Sequence, residues 1–290
     1  MSKTVTIIAI TSAQQSAIAA SFAEAGWAVG GTSRSASTTP HGPTVIADPD
    51  TGDGLVAAFV GSDVVVLSLP QDHRPGAMPR IAENVAKAAE MAGVQRLVLN
   101  TAGTIAEDST EPLFIDMRAA RDAICSRTVP WVILQPTVYM DNLLAPWSLP
   151  SIVERGVLAY PAPEAASISW ISHRSLAAYA CAAATHPDAV GRDLRIGGPD
   201  AVTGSELSAL LSQQVGRPVT YQRIPLDGFA AGLDQQFGPP AGQRIASLYA
   251  RLDAEAAAMA VDPTLTAFLG VEPESFSAFA ARQDWSSRPS

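Results

Sequence analysis

The chain is short of the residues that announce most chemistries. Of its 290 residues two are cysteine, Cys125 and Cys181, both inside helical patterns and without CxxC spacing. That excludes a disulfide scaffold or a zinc ribbon and reads as two buried free thiols. Lysine is limited to Lys3 and Lys87, the arginines are scattered, and the net charge is −9. No basic face is expected to follow a phosphate backbone, so nucleic acid is not an expected partner. No apolar run reaches the roughly 18 residues that span a bilayer. Residues 4–10 are too short for the core of a signal peptide, so no membrane partner and a cytoplasmic location are expected. HExxH, GxSxG and GxxxxGK[ST] are missing, and with them the zinc hydrolase, serine hydrolase and P-loop readings; no metal is expected. Glycine is missing where it matters most: the first in the chain is Gly26.

What is present is a well-packed α/β pattern, with 47% hydrophobic and 16% charged residues. Strands are expected at residues 5–8, 27–34, 44–46, 63–69, 96–101 and 131–134. Helices alternate with them at 17–25, 55–59, 81–92 and 118–125. Apolar strands alternating with helices imply a parallel sheet covered on both faces. Beyond Pro136 the pattern breaks into short, proline-punctuated elements, with helices expected at 173–184 and 205–215 and a strand at 219–223. The expected organisation is a Rossmann-like domain over residues 1–145 and a smaller C-terminal α/β lobe over 146–290, interleaved with the first. Residues 285–290 read as a fraying tail.

The first strand and helix frame a turn, Ala9-Ile10-Thr11-Ser12-Ala13-Gln14-Gln15, with no glycine in it. A dinucleotide-binding turn uses glycine for the tight bend, for backbone approach to pyrophosphate and for close packing of helix on strand. Here a dinucleotide in the usual pose is expected to be crowded, although the helix N-terminus still offers unpaired N–H groups.

Three segments carry a family likeness: residues 24–34, with Glu24-Ala25-Gly26 closing the helix and Arg34 ending the second strand; Trp131-Val132-Ile133-Leu134-Gln135-Pro136 followed by Tyr139-Met140-Asp141-Asn142-Leu143-Leu144; and residues 215–226 around Gly216-Arg217-Pro218. In order and spacing the chain resembles the NmrA-like branch of the short-chain dehydrogenase/reductase superfamily. The resemblance implies an NADP-type Rossmann domain, a small lobe and a ligand cleft, in a family of reductases and redox-sensing regulators.

Laid on that pattern, the family's GxxGxxG falls on Ala9, Ser12 and Gln15. Ala9 fits if its φ stays negative, Ser12 adds a side chain near the phosphates, and Gln15 stands where helix and strand should close. The superfamily's Tyr-xxx-Lys falls on Phe114/Arg118 or Leu113/Met117, so neither phenol nor ammonium is supplied. Arg34 occupies the place of the arginine that meets the NADP 2′-phosphate, and Asp48 that of an aspartate near the adenine; each also reads as an ordinary solvated or turn-forming residue.

Ligands of open α/β sheets sit beyond the carboxyl ends of the strands, and that rule selects the remaining candidates. His73 is the first candidate for general acid/base chemistry. Tyr139 and Asp141 pair as proton donor and base, Asp116 lies on the helix that would carry the lysine, and Thr101 takes the place of a substrate-binding serine. Asn100, Asn142, Trp147, Trp170 and His173 are the expected substrate contacts, the tryptophans as a wall for a flat molecule. The expectation is therefore a cofactor-independent enzyme of isomerase, cyclase or lyase type, acting on a small, aromatic or polyketide-like metabolite as monomer or homodimer, with no cofactor. An NADPH-dependent quinone or ketone reductase, and a non-catalytic redox sensor, are the alternatives.

Overall fold

The computed structural model describes residues 2–70 and 74–285. In chain order the elements are β1 (Thr4–Ile7), α1 (Ala13–Glu24), β2 (Ala28–Ser33), β3 (Thr38–Thr39), β4 (Gly42–Pro43), β5 (Val45–Ile46), α2 (Leu55–Phe59), β6 (Val64–Ser68), α3 (Ala77–Ala92), β7 (Arg96–Asn100), α4 (Pro112–Cys125) and β8 (Trp131–Pro136). There follow a 3₁₀ turn (Met140–Leu144), α5 (Leu149–Arg155), β9 (Val157–Tyr160), α6 (His173–Thr185), β10 (Arg192–Ile196), α7 (Gly204–Val215), β11 (Thr220–Arg223), α8 (Leu226–Phe237), α9 (Ala241–Ala254) and α10 (Phe276–Ala281).

Two compact units emerge. The first comprises residues 1–136, 176–195 and 264–271. It holds a seven-stranded sheet in the order β10-β8-β7-β6-β1-β2-β5. The pairings of β1 with β2 and β6, of β2 with β5, and of β7 with β6 and β8 are all parallel. This is the Rossmann-like α/β fold expected from the alternating pattern. Val64, Val65, Val66 and Leu67 are all buried, as are Leu97, Val98 and Leu99, because helices cover both faces of a parallel sheet. The chain steps outward from β1 to β2 and returns on the other side at β6. The carboxyl ends of β1 and β6 therefore flank the switch point where such sheets bind ligands.

The second unit comprises residues 137–175, 196–263 and 272–290. Its two-stranded sheet pairs β9 with β11 in parallel, and its core is built from Leu143, Ile152, Leu158, Tyr160, Trp170, Leu207, Leu211 and Phe279. The division differs from a cut at residue 145. It falls at Pro136, where β8 ends, and residues 176–195 and 264–271 return to the first unit. Trp285 does not fray: it is buried and its indole donates to Ala280 O at 2.8 Å. No helix among the described residues is long and apolar enough to cross a membrane.

Candidate functional site

The turn between β1 and α1 is built without glycine, and its geometry shows how. Ala9 adopts φ +53°, the left-handed conformation, so the negative φ on which its fit was made to depend is not what holds it here. The cost for an alanine is about 1–2 kcal/mol. Ala9 N–H donates to Thr32 Oγ1 at 3.3 Å and Ser12 N–H to Ala9 O at 3.1 Å, which holds the bend. Ile10 turns inward onto β2, where a Cβ on Gly31 would stand 2.5 Å from Ile10 Cγ2. The close approach normally granted by a glycine in the turn is granted here by a glycine on the receiving strand.

Ser12 is the N-cap of α1, accepting from Gln15 N, and the helix begins at Ala13, four residues earlier than its apolar spacing suggests. Gln15 stands where helix and strand close, and the side chain is accommodated there: it is 3% exposed and donates from Nε2 to Ile8 O at 3.0 Å. Ala9, Thr11, Ser12 and Ala13 are exposed, and none carries a side chain longer than threonine's. The N–H groups of the first helical turn have no intrahelical acceptors and carry the positive end of the helix dipole. Gln14 accepts from Asn100 Nδ2 at 3.1 Å, and the same amide reaches Ser68 Oγ at 2.9 Å and takes Ala102 N–H on its oxygen at 3.0 Å. Asn100, expected to touch substrate, is thus the fully buried tie between α1, β6 and β7.

Arg34 stands exposed just past β2, with no hydrogen bond or ion pair among the described residues. Asp48 is committed to its own loop, its carboxylate accepting Asp50 N–H at 2.9 Å in an Asx turn. Asp50 in turn holds Arg74 and Arg80, whose guanidinium groups keep its carboxyl below the usual range. On α4, Phe114 is buried and Arg118 spends its guanidinium on the carbonyls of Ala106 and Ser109. Asp116 is half-buried on the same helix. Thr101 is buried, its hydroxyl turned to Gly103 O at 2.7 Å and Leu134 O at 3.1 Å. His73 lies outside the described residues. The thiols of Cys125 and Cys181 are half-buried; burial raises both, that of Cys125 to about 11.

In the second unit three of the expected residues come together. Met140 N–H donates to Ile171 O and Ile171 N–H to Val138 O, both at 2.9 Å, which sets the Tyr139–Leu143 segment beside the start of α6. Asp141 Oδ2 accepts the His173 N–H at 2.8 Å while Oδ1 lies 3.4 Å from His173 Nδ1. The Tyr139 ring packs edge-on against His173, centroids 5.1 Å apart. Burial holds the His173 imidazole below its ordinary value, and the Asp141 charge partly opposes this. Asn142, the next residue, reaches the other way, Nδ2 to Tyr160 Oη at 3.5 Å. Trp170 is buried core, whereas Trp147 is exposed and faces Tyr160 and Phe229. Sequence reading missed Tyr160 and Tyr249, whose hydroxyls meet at 2.8 Å; 89 residues separate them, and no local pattern marks such a pair. Among the described residues no cluster of His, Cys, Asp and Glu could hold a metal.

The sequence profile of the NmrA-like family matches residues 1–271. The chain belongs to the NmrA-like family. It is 30% identical over 234 residues, 80% of this chain and 77% of the relative, to the (4-alkanoyl-5-oxo-2,5-dihydrofuran-3-yl)methyl phosphate reductase of Streptomyces griseus subsp. griseus. It is 34% identical over 140 residues, 48% of either chain, to the NAD(P)H azoreductase of Xenophilus azovorans. Its fold superimposes on the NADPH-dependent quinone oxidoreductase of Escherichia coli, solved with NADPH, at a TM-score of 0.75 and 22% identity, covering 96% of this chain and 98% of the other.

These relatives overturn the expectation of cofactor-independent isomerase, cyclase or lyase chemistry, and with it the expectation of no cofactor. Both curated relatives are named as reductases, one of them for NAD(P)H. The three missing glycines do not leave the turn covered by long side chains, for a physical reason. An alanine at positive φ makes the bend, Gly31 admits Ile10, and Gln15 folds beneath the helix instead of over it.

Proposed function

We propose that this NmrA-like protein is an NADPH-dependent reductase of a small conjugated acceptor, a quinone or ketone. The observation that carries the reading is the open turn: exposed short side chains and the N-terminus of α1 lie at the switch point of the sheet, with Gln15 withdrawn beneath them. That arrangement suits the pyrophosphate of a dinucleotide, bound by backbone N–H groups and the helix dipole. Arg34, exposed and without a partner among the described residues, is the group to meet a 2′-phosphate, the feature that separates NADPH from NADH. Asp48, held in its turn, serves the loop more than the adenine. When bound, the cofactor supplies a hydride. The chain supplies the cradle, and at Phe114 and Arg118 on α4 it supplies no phenol or ammonium, so the accompanying proton does not come from those two positions.

The test is a pair of titrations followed by an assay. NADPH is expected to raise the melting temperature and to quench tryptophan fluorescence, and its oxidation with a naphthoquinone is to be followed by loss of nicotinamide absorbance. Arg34→Ala should weaken NADPH roughly tenfold or more, as expected for a charge-assisted contact of about 1.5–3 kcal/mol, while leaving NADH affinity within about twofold. No response to NADPH in either titration sinks the reading.

A further inference from the structure

Within the second unit a short hydrogen-bonded relay ends on a proton with nowhere to go. Tyr160 closes β9 at 0% exposure and Tyr249 lies in α9 at 5%. Their hydroxyls are 2.8 Å apart, and one bond between two phenols uses one of their two protons. Either hydroxyl can donate in that pair; the arrangement in which Tyr160 accepts from the Asn142 amide at 3.5 Å and donates to Tyr249 leaves the second proton on Tyr249. In that arrangement the relay Asn142 to Tyr160 to Tyr249 terminates on the Tyr249 O–H, for which the described residues provide no acceptor.

A buried donor left unpaired costs about 1–3 kcal/mol, and folded proteins seldom leave one without cause. Burial also keeps both phenols protonated, Tyr160 far above its ordinary value and Tyr249 pushed up to about 12, so the end group remains a donor at cellular pH. The surroundings are aromatic. Phe229 and Tyr160 each meet Tyr249 edge-on with centroids at 5.5 Å, and Trp147 lies 6.4 Å from Tyr160 and 6.5 Å from Phe229. At 39% exposure Trp147 marks the solvent side of the group.

We propose that Tyr249 Oη is the hydrogen-bond donor to a carbonyl oxygen of a planar conjugated ligand, a quinone or an enone, held among Trp147, Tyr160 and Phe229, and that Asn142 and Tyr160 align and polarise that hydroxyl. A donor without an acceptor selects a carbonyl, aromatic faces select a flat molecule, and neutral rings select an uncharged end of the ligand. The proposal rests on the reductase reading only in taking this compound as the electron acceptor.

The experiment measures binding without cofactor. Calorimetric titrations compare 2-methyl-1,4-naphthoquinone with 2-methylnaphthalene, which has the rings and lacks the carbonyls. The wild-type chain should prefer the quinone. Tyr249→Phe should weaken the quinone about three- to tenfold, the fold-change of one neutral hydrogen bond, and leave the naphthalene unchanged. Tyr160→Phe and Asn142→Ala should shift the quinone in the same direction by less, and Tyr160→Phe carries the test if Tyr249→Phe does not fold. Equal quinone affinity in wild type and Tyr249→Phe, an equal loss for both ligands, or no quinone binding by the wild type overturns the proposal. A failure of NADPH to bind in its own titration sinks the reductase reading and leaves the quinone–naphthalene comparison intact.

Discussion

Ala9 shows how little of a turn's character lies in the name of its residue. At φ +53° it sits where glycine is favoured, and the surrounding hydrogen bonds to Thr32 and Ser12 keep it there. Ala9→Gly removes the steric penalty and adds backbone entropy to the unfolded chain. The net is expected to stabilise by roughly 0.5–1 kcal/mol, raising the melting temperature by a few degrees without weakening NADPH. A lower melting temperature in scanning calorimetry contradicts this account of the turn. His173 makes a second prediction at the same scale. Its imidazole is held below the unfolded value mainly by burial, so the unfolded chain binds a proton that the native chain resists. Stability should be full above about pH 6.5 and fall as pH drops from there through the lower native value. His173→Gln should flatten the melting temperature between pH 7 and 5 relative to wild type, and parallel profiles would refute it.

Among the elements, α1 and the ends of β6 and β7 act as one piece because Asn100 joins them. Three bonds, to Gln14, Ser68 and Ala102 N, converge on one buried amide. Asn100→Ala removes all three and leaves half-buried partners unpaired, an expected loss of about 1–3 kcal/mol in chemical denaturation. NADPH affinity should fall as well, since the N-terminus of α1 loses its anchor; a variant with wild-type affinity would mean that α1 is held by its packing alone. β2 contributes by an absence: without a Cβ on Gly31, Ile10 can pack onto the strand, and the bend of the turn follows from that contact.

For the whole molecule, ligand linkage connects stability to function. A ligand that binds the native chain alone stabilises by about 2.7 kcal/mol at a hundredfold excess over Kd. NADPH at that excess should therefore raise the melting temperature by several degrees, and NADH at equal concentration by less. The quinone-type ligand of the Tyr249 group should stabilise in its own right, because its proposed contacts lie within the second unit.

The sequence by itself determined the Rossmann-like architecture and the family. Alternating apolar strands and helices are local, periodic signals, and the segments around Arg34, residues 131–144 and 215–226 lie in a fixed order along the chain. It also placed Tyr139, Asp141 and His173 on one list, though not in contact. Only the packed chain fixes the shape of the glycine-free turn and the pairing of Tyr160 with Tyr249. Whether Gln15 points over or under a helix depends on a carbonyl seven residues away and on the sheet beneath. Whether a missing glycine matters depends on Gly31 in another strand. Tyr160 and Tyr249 become a pair only when β9 and α9 are packed together. Backbone dihedrals, buried hydrogen bonds and long-range contacts carry no periodicity, so the features that separate an open turn from a crowded one are written in the fold and not along the chain.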